Sequence, residues 1–367
     1  MENWTTVRAA DFVEFNPRLS IKKGAMATKV AMDKLQPFTK KIPSTEQAEF
    51  SGGSKFCNGD TIMARITPCL ENGKTAFVDI LANGEVAFGS TEFIVIRARE
   101  GISDPQFVYY LATSPAFRNV AIKSMVGSSG RQRVQQGVLD ELELTVPPLA
   151  EQKKIGDLLA TLDQKIAHNN KINDNLQQQA QAIYASMFVD NAEPTWKQGH
   201  LSDFVIVRYG KDHKKLADGI YPVYGSGGIM RHVERPLYDK ESVLIPRKGT
   251  LNNVMYVNQP FWSVDTMFYT EMRLPNVAKF VYHFVKAKDL AAMNAGSAVP
   301  SMTTDILNAM EIAIPPATVL EEFESLVAPM YRAMQGNDAQ SKKLADLRNA
   351  LLPKLMSGEI DVSDIQL

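Results

Sequence analysis

The sequence has few of the residues from which catalytic and metal sites are usually built. It contains two cysteines and five histidines among 367 residues. Cys57 and Cys69 form no CxxC pair and have no neighbouring histidine, so they predict neither a zinc site nor a disulfide framework. The histidines also show no metal-ligand spacing and no nucleophile motif. They are His168, His200, His213, His232 and His283. We therefore predict no catalytic residue and no metal.

Long apolar runs and an excess of charge of one sign are also missing. No stretch approaches the roughly 18 apolar residues of a membrane-spanning helix, so we expect a soluble, cytoplasmic protein. The glycine cluster 225–228 lacks the GK[ST] ending of a phosphate-binding loop. Hydrophobic residues make up 45% of the chain and charged residues 22%, which is typical of globular proteins. The length predicts two domains, each with its own core.

The net charge of -1 is low for a DNA-binding protein, but its distribution is uneven. Residues 1–147 carry 17 basic and 16 acidic side chains, and residues 196–314 carry 14 and 11, so these segments are +1 and +3. Residues 105–139 hold four cations and no acid. The sequence therefore provides local basic surfaces.

The chain repeats itself, and the repeat determines the predicted architecture. Trp4 and Asp11-Phe12-Val13 match Trp196 and Asp203-Phe204-Val205, 192 residues further on. Further matches shorten the shift to 175, 173, 169 and finally 168, which predicts shorter loops in the second copy. They are Ser51-Gly52-Gly53 with Ser226-Gly227-Gly228, Phe107-Val108-Tyr109 with Phe280-Val281-Tyr282, Gly127-Ser128 with Gly296-Ser297, and Pro147-Pro148 with Pro315-Pro316.

Each copy divides into a strand-rich part and a helical tail. Short apolar or alternating runs, such as 61–66, 93–97 and 242–246, are bounded by turn residues and predict strands. Residues 107–120 and 277–293 are interpreted as helices. We predict an α+β chain with two tandem, mainly β recognition domains at 1–147 and 196–314, each followed by a long α-helix at 148–190 and 315–358.

The two tails carry a heptad repeat in the same register. Apolar residues recur with 4-3 spacing, and Asn169 and Asn337 place a polar residue at the same seam position of both tails. Arg348 is the one serious exception. The predicted seam residues are Ile155, Leu159, Leu162, Ile166, Asn169, Leu176, Ile183, Phe323, Val327, Met330, Met334, Asn337, Leu344 and Leu351.

The matched register and polar layer favour pairing of the two helices as an antiparallel coiled coil. The alternative is that each amphipathic helix packs only on its own domain. About 40 residues at 1.5 Å each would form a rod of roughly 60 Å, which can hold two domains apart.

Basic and glycine-rich loops indicate contact with nucleic acid. Residues 208–248 hold nine Lys and Arg against five acids, with Tyr221, Tyr224 and His232 among them. Glycine turns let backbone amides approach phosphates, Lys and Arg attract the backbone, and Arg can read guanine. The alternative for any one of these residues is a solvated basic loop.

With these features the chain resembles the specificity subunits of type I restriction-modification systems over essentially its whole length. The resemblance is carried by Trp4 and Trp196 at the beginning of the two copies, by the Pro-Pro pairs at which the helices start, and by three further segments. Those segments are residues 221–228, residues 244–250 and the ending 351–360. The start Pro147-Pro148-Leu149-Ala150-Glu151-Gln152 is typical, whereas the second start departs from it after Pro315-Pro316.

The resemblance implies a non-catalytic, sequence-specific subunit that binds double-stranded DNA. Each domain would read one half of a bipartite, asymmetric site, and the helices would set the spacing. The implied partners are two adenine methyltransferase subunits, which bring S-adenosylmethionine, and ATP-driven restriction subunits. No cofactor is expected on this chain. The alternatives are a coiled-coil assembly scaffold that binds no DNA and, less favoured, a fused restriction-methylation enzyme.

Thirteen residues are the predicted DNA contacts. They are Lys22, Lys23, Ser51, Arg65, Lys74, Arg131 and Arg133 in the first copy, and Tyr224, Ser226, Arg231, Arg247, Lys248 and Asn252 in the second.

Overall fold

The computed structural model describes residues 3–293 and 301–362. The chain divides into two compact units, one of residues 1–171 and 337–367 and the other of residues 172–336. Each unit holds one of the two sequence copies and a part of each of two long helices. Gly296-Ser297, the predicted partner of Gly127-Ser128, lies outside the described residues.

Within residues 3–171, the strands of the first unit form two four-stranded sheets and a two-stranded ribbon. The strands are β1 (Thr5–Arg8), β2 (Val13–Phe15), β3 (Met26–Val30), β4 (Glu46–Glu49), β5 (Lys55–Phe56), β6 (Thr61–Ala64), β7 (Thr75–Phe77), β8 (Ala87–Gly89), β9 (Phe93–Ala98) and β10 (Glu143–Val146). The short helices are α1 (Ala9–Phe12), α2 (Pro105–Thr113), α3 (Pro115–Lys123) and α4 (Gln136–Asp140). The sheet orders are β2-β9-β6-β7 and β4-β3-β8-β5, and β1 pairs with β10.

The described part of the second unit has nearly the same layout. Its strands are β11 (Lys197–His200), β12 (Val205–Tyr209), β13 (Asp218–Gly225), β14 (Gly228–Val233), β15 (Ser242–Pro246), β16 (Met255–Val257), β17 (Trp262–Ser263), β18 (Met267–Met272) and β19 (Glu311–Ile314). The short helices are α6 (Leu201–Phe204), α7 (Ala278–Lys286) and α8 (Thr304–Asn308). The orders β12-β18-β15-β16 and β14-β13-β17, with the ribbon β11-β19, match those of the first unit, except that the second sheet has three strands instead of four in the described residues. The two sequence copies are thus confirmed as two domains of mixed helix and sheet.

Two helices differ from the sequence prediction. The helix expected over 107–120 is divided into α2 and α3, because Ser114 leaves the helical conformation and its hydroxyl accepts from the amide of Phe117 at the start of α3. Pro115 then occupies the first turn of α3, where its missing amide hydrogen costs nothing. The helix expected over 277–293 ends at Lys286. A turn follows, in which the Asp289 carboxylate accepts from the amide of Ala292.

The long helices are α5 (Leu149–Ala185), extended by a π-helical turn over Ser186–Asp190, and α9 (Ala317–Met356). Gln152 anchors the start of α5, because its buried amide donates to the carbonyl oxygens of Pro147 and Ile102 at 2.9 and 3.1 Å. The second copy has the apolar Leu320 at the equivalent position, and it is buried in the core of its unit.

The long helices contact each other within each unit. In the first unit, Asn169 Nδ2 donates to Gln340 Oε1 at 2.9 Å and to Ser341 Oγ at 3.2 Å. In the second unit, Asn173 Nδ2 donates to the carbonyl oxygen of Met334 at 3.3 Å. All fourteen predicted seam residues are buried or half-buried.

Each unit is built on two apolar clusters, one between a sheet and the helices and one between the sheets. In the first unit, the helix-facing cluster contains Ile155 and Leu159 of α5 and Leu352 and Leu355 of α9. In the second unit, it contains Tyr184 and Phe323 of the same two helices. The domains therefore share their cores with the helices. No helix in the described part of the chain is long and apolar enough to cross a membrane.

Candidate nucleic-acid interface

A polar cavity of about 530 Å³ opens in the first unit beside the ends of β2, β6 and β9. Three cationic side chains line it, and they are Arg18, Lys55 and Arg65. Ser54 and Asn16 add hydroxyl and amide groups. Cations beside neutral hydrogen-bonding groups in an open cavity are suited to an anionic, polar ligand such as nucleic acid.

Local backbone geometry holds this cavity open. Asn16 ends β2 in the left-handed region, at φ 50°, where asparagine is tolerated better than most residues. Its Oδ1 accepts from the amide of Val95 at 3.0 Å and its Nδ2 donates to Gln136 at 2.7 Å. On the other side, Gly53 has φ 115°, and a β-carbon there would lie 2.0 Å from the carbonyl oxygen of Gly89. Only glycine allows the Ser51-Gly52-Gly53 loop to approach β8 so closely.

Arg65 is the most constrained cation of this cavity. It follows β6, and its Nη2 donates to the carbonyl oxygen of Val134 at 3.3 Å. Its Nε is buried and has no hydrogen-bond partner among the described residues. Nearby, the Glu92 carboxylate pairs with Arg133 at 2.6 Å, and this hydrogen bond lowers the pKa of Glu92. Arg133 therefore has a direct acid partner. Arg65 has none in the described part of the chain, and its charge acts on Glu92 only through space.

The remaining predicted contacts of the first copy occupy different environments. Lys22 and Lys23 are exposed in a turn that ends at Gly24, where φ is 80°. Arg131 and Ser51 are also exposed in loops. Lys74 is half-buried, and its Nζ donates to the carbonyl oxygen of Met32 at 2.9 Å. That contact gives Lys74 a structural role in holding the chain before β4.

In the second unit, the corresponding strand end also carries an arginine. Arg247 follows β15 as Arg65 follows β6, and its Cζ lies 5.3 Å from the centre of the Tyr209 ring. Its Nη1 donates to the carbonyl oxygen of Asp265 at 3.2 Å. Lys248, the next residue, is exposed.

The glycine loop of the second copy lies against this arginine loop. Asn253 Nδ2 donates to the carbonyl oxygen of Ser226 at 2.8 Å, and a β-carbon at Gly249 would lie 2.6 Å from Ser226 Oγ. The structure thus brings Ser226, Arg247 and Lys248 together on adjoining loops.

Three other predicted residues of the second copy are engaged in the fold. Tyr224 is 9% exposed, packs edge-on against Phe261 and accepts a hydrogen bond from Gln259. Arg231 pairs with Asp218 at 2.8 Å. Asn252 donates to Asp289 Oδ1 at 3.0 Å and accepts from the amide of Ala291. All three side chains therefore make contacts within their own domain.

Sequence reasoning missed Arg18, Lys55 and Tyr209. Aligning Asp11-Phe12-Val13 with Asp203-Phe204-Val205 puts Arg18 shortly after β2 and Tyr209 at the end of the equivalent strand β12, so the repeat contained the signal for both. Lys55 has no such signal, because its place at the cavity depends on the pairing of β5 with β8. In the described residues, no three His, Cys, Asp or Glu side chains are grouped to hold a metal ion.

Comparisons with known proteins agree on one family. The family model for the type I restriction modification DNA specificity domain matches residues 1–178 and 193–321. The MjaIX specificity subunit of a type I restriction enzyme from Methanocaldococcus jannaschii is 24% identical over 71% of this chain and 70% of its own length. The EcoAI specificity subunit from Escherichia coli is 29% identical, but over 41% of this chain and 26% of its own length.

A solved structure has the same fold over nearly the whole chain. It is the S subunit of a type I restriction-modification system from M. genitalium, which aligns with a TM-score of 0.56 over 96% of both chains. Its sequence identity of 17% makes it evidence for the fold alone.

Proposed function

Because this chain belongs to the type I restriction modification DNA specificity domain family, we propose that it reads DNA sequence for a type I restriction-modification complex. Each of its two domains reads one half of a bipartite, asymmetric site in double-stranded DNA. The observation that carries the proposal is the arginine that follows the equivalent central strand in both domains, Arg65 after β6 and Arg247 after β15. Chemistry is left to other subunits of the complex.

The two arginines suit base readout because each is held in one orientation by the protein. An arginine guanidinium can donate two hydrogen bonds to the O6 and N7 of guanine in the major groove. Arg18, Lys55, Lys248 and the exposed Lys22 and Lys23 suit phosphate contacts, which fix the register of the protein without reading sequence.

Two different readers explain an asymmetric site. The same strand end carries Arg18, Lys55 and Arg65 in the first domain but Tyr209, Arg247 and Lys248 in the second. Because the two sets differ in charge and shape, the two domains select different half-sites.

The spacing between the half-sites is set by α5 and α9, which pair as an antiparallel coiled coil. The contacts within each unit support this part of the proposal. Asn169 of α5 reaches residues 340 and 341 of α9, whereas the later Asn173 reaches the earlier Met334. The residue number of the partner on α9 falls as the residue number on α5 rises, as antiparallel pairing requires.

Membership of the family supports the proposed partners. Two adenine methyltransferase subunits dock on this chain and bring S-adenosylmethionine, and ATP-driven restriction subunits join that core. This chain itself needs no cofactor for DNA reading. A net charge of -1 makes its own attraction to DNA weak, so the methyltransferases complete the affinity by closing around the duplex.

The test is a genome-wide map of methylated adenines in cells that co-express this chain with its methyltransferase. A second strain carries a chain whose residues 1–147 are replaced by the first domain of a relative. We expect a split methylation motif in which the first half alone changes.

A matched control replaces residues 196–314 instead, which should change the second half alone. A stable complex with an active methyltransferase but no split motif would contradict DNA reading. That result would favour the alternative, a coiled-coil scaffold that assembles partners without binding DNA.

A further inference from the structure

An ion pair between α5 and α9 is buried in the first unit. Asp163 and Arg348 form this pair, and their side chains are 9% and 12% exposed. Tyr110 of the recognition domain donates its hydroxyl to the other carboxylate oxygen of Asp163 at 2.5 Å. Lys40 Nζ, itself buried, lies 3.2 Å from that hydroxyl. Both oxygens of Asp163 are therefore used. Arg348 is its direct ion-pair partner, and the Lys40 charge acts on it from behind the Tyr110 hydroxyl.

The equivalent positions in the second unit carry no charge. The 168-residue shift of the repeat maps Asp163 onto Tyr331 and Arg348 onto Ala180. Tyr331 is 5% exposed and Ala180 is fully buried, both in the apolar core of the second unit. Tyr110 corresponds to His283 at a shift of 173, and His283 Nε2 lies 3.0 Å from the Tyr331 hydroxyl. The contact among these three equivalent positions is thus ionic in the first unit and neutral in the second.

We infer that Asp163 and Arg348 are specificity determinants of helix pairing, which direct α5 to α9 and exclude pairing of either helix with a copy of itself. The inference rests on the antiparallel coiled coil of the proposed function. In a pair of two α5 helices in this register, Asp163 would face Ala180. In a pair of two α9 helices, Arg348 would face Tyr331.

Each mispaired form would bury one member of the ion pair without its direct counter-charge, because Asp163 would keep only Lys40 behind the Tyr110 hydroxyl and Arg348 would face no acid. Removing one partner of a buried ion pair is strongly destabilising, because the remaining ion keeps its desolvation cost and loses its attraction. A pair that is close to neutral for stability in the correct complex therefore discriminates strongly against the incorrect ones. The result is that the two halves cannot replace each other, so every assembled subunit contains two different readers.

The test uses the full chain with a protease site inserted between Ala192 and Glu193, in the link between α5 and the second domain, where residues 193–195 are exposed. After folding and purification the chain is cut, and the two fragments exchange at equilibrium in urea below the unfolding transition. Native mass spectrometry then counts complexes of unlike fragments and complexes of like fragments. Wild-type protein should give unlike complexes almost exclusively.

The informative variant is the double substitution Asp163→Asn with Arg348→Met, which removes both charges and keeps similar side-chain sizes. We expect the ratio of like to unlike complexes to rise at least about tenfold, because the charges of the pair no longer distinguish the correct form from the mispaired ones. The matched control, Asp157→Asn with Lys342→Met, removes the same charges from exposed positions of the same helices and should leave the ratio unchanged.

Arg348→Asp provides a second measurement if the double variant folds poorly. It sets two carboxylates against each other in the correct pair and should also raise the share of like complexes. An unchanged ratio in both variants overturns the inference while leaving DNA reading and helix pairing intact. Fragments of the wild-type chain that separate without re-pairing would instead overturn the coiled coil itself, and the inference with it.

Discussion

Arg247 lies over the ring of Tyr209, with its Cζ 5.3 Å from the ring centre. The aromatic face attracts the guanidinium. The hydrogen bond from Nη1 to the Asp265 carbonyl oxygen fixes the orientation of the guanidinium plane. Two contacts thus hold a long, flexible side chain at a strand end. Less rotamer freedom is lost when such a side chain binds a base, so the arrangement favours readout over general attraction.

Replacing Arg247 with alanine should weaken binding to the cognate site by about 1–3 kcal/mol and relax selectivity at one base pair of the second half-site. The measurement is a titration of the methyltransferase complex against DNA duplexes that vary at each position. Lys197→Ala is the control, because it removes one exposed positive charge from strand β11, which belongs to a different sheet. Equal losses in both variants would show that Arg247 contributes only charge.

Arg131→Ala should weaken binding to all sequences alike and reduce the salt dependence of the affinity by about one unit of slope. The reason is that Arg131 is exposed in a loop of the basic segment 105–139, where a phosphate can reach it. The slope is measured as the logarithm of affinity against the logarithm of salt concentration. Lys153→Ala, an exposed change on α5, should leave the slope as it is in the wild-type complex.

Arg348→Met should destabilise the first unit by about 3–5 kcal/mol, because Asp163 would remain buried without its counter-charge. Adding Asp163→Asn should recover most of that loss. Urea unfolding of the full chain gives the comparison, with Lys342→Met as the exposed control. Equal stability of the single and double variants would contradict a coupled pair.

Stability should fall as the solution becomes acidic, and His283 should be one cause. Burial lowers the pKa of His283 to about 4, from an ordinary value of 6.5. Between these pH values the unfolded chain binds a proton that the folded chain excludes, so the free energy of unfolding decreases from pH 6.5 towards pH 4. The expected loss from this group is about 3 kcal/mol.

The measurement is the free energy of unfolding at pH 7 and at pH 4.5 for the wild-type chain and for His283→Gln. The variant is expected to be less stable at pH 7, because it loses the contacts of His283 with Gln181 and Tyr331. Its further loss on acidification should be smaller than that of the wild-type chain. An equal loss in both proteins would mean that His283 does not contribute to the pH dependence of stability.

Local patterns predicted much of the secondary structure. The run 242–246 is β15 as expected, 61–66 contains β6, and 93–97 lies within β9. Alternation and heptad spacing reflect which face of a single element is buried, so they can be recognised without knowing its neighbours. The break at Ser114-Pro115 also has a local cause, and was missed because the apolar spacing continues across it.

The candidate site was predicted less well, because its chemistry depends on residues far apart in the sequence. Arg133 was selected for its charge, but Glu92, 41 positions away, pairs with it. Tyr224 was selected as an aromatic among basic residues, but Phe261 and Gln259 enclose it. Arg18 and Lys55 reach the same cavity as Arg65 only through the pairing of strands.

The amino-acid sequence by itself determined that the protein is a duplicated domain with two long heptad helices and basic, glycine-rich loops. These properties can be recognised from repeats, periodicity and composition. Only the tertiary structure decided which cations stay available at the strand ends, and that Arg348, an exception in the heptad pattern, faces Asp163. Burial and charge compensation depend on the whole surroundings of a side chain, and folding brings those surroundings together from distant parts of the chain.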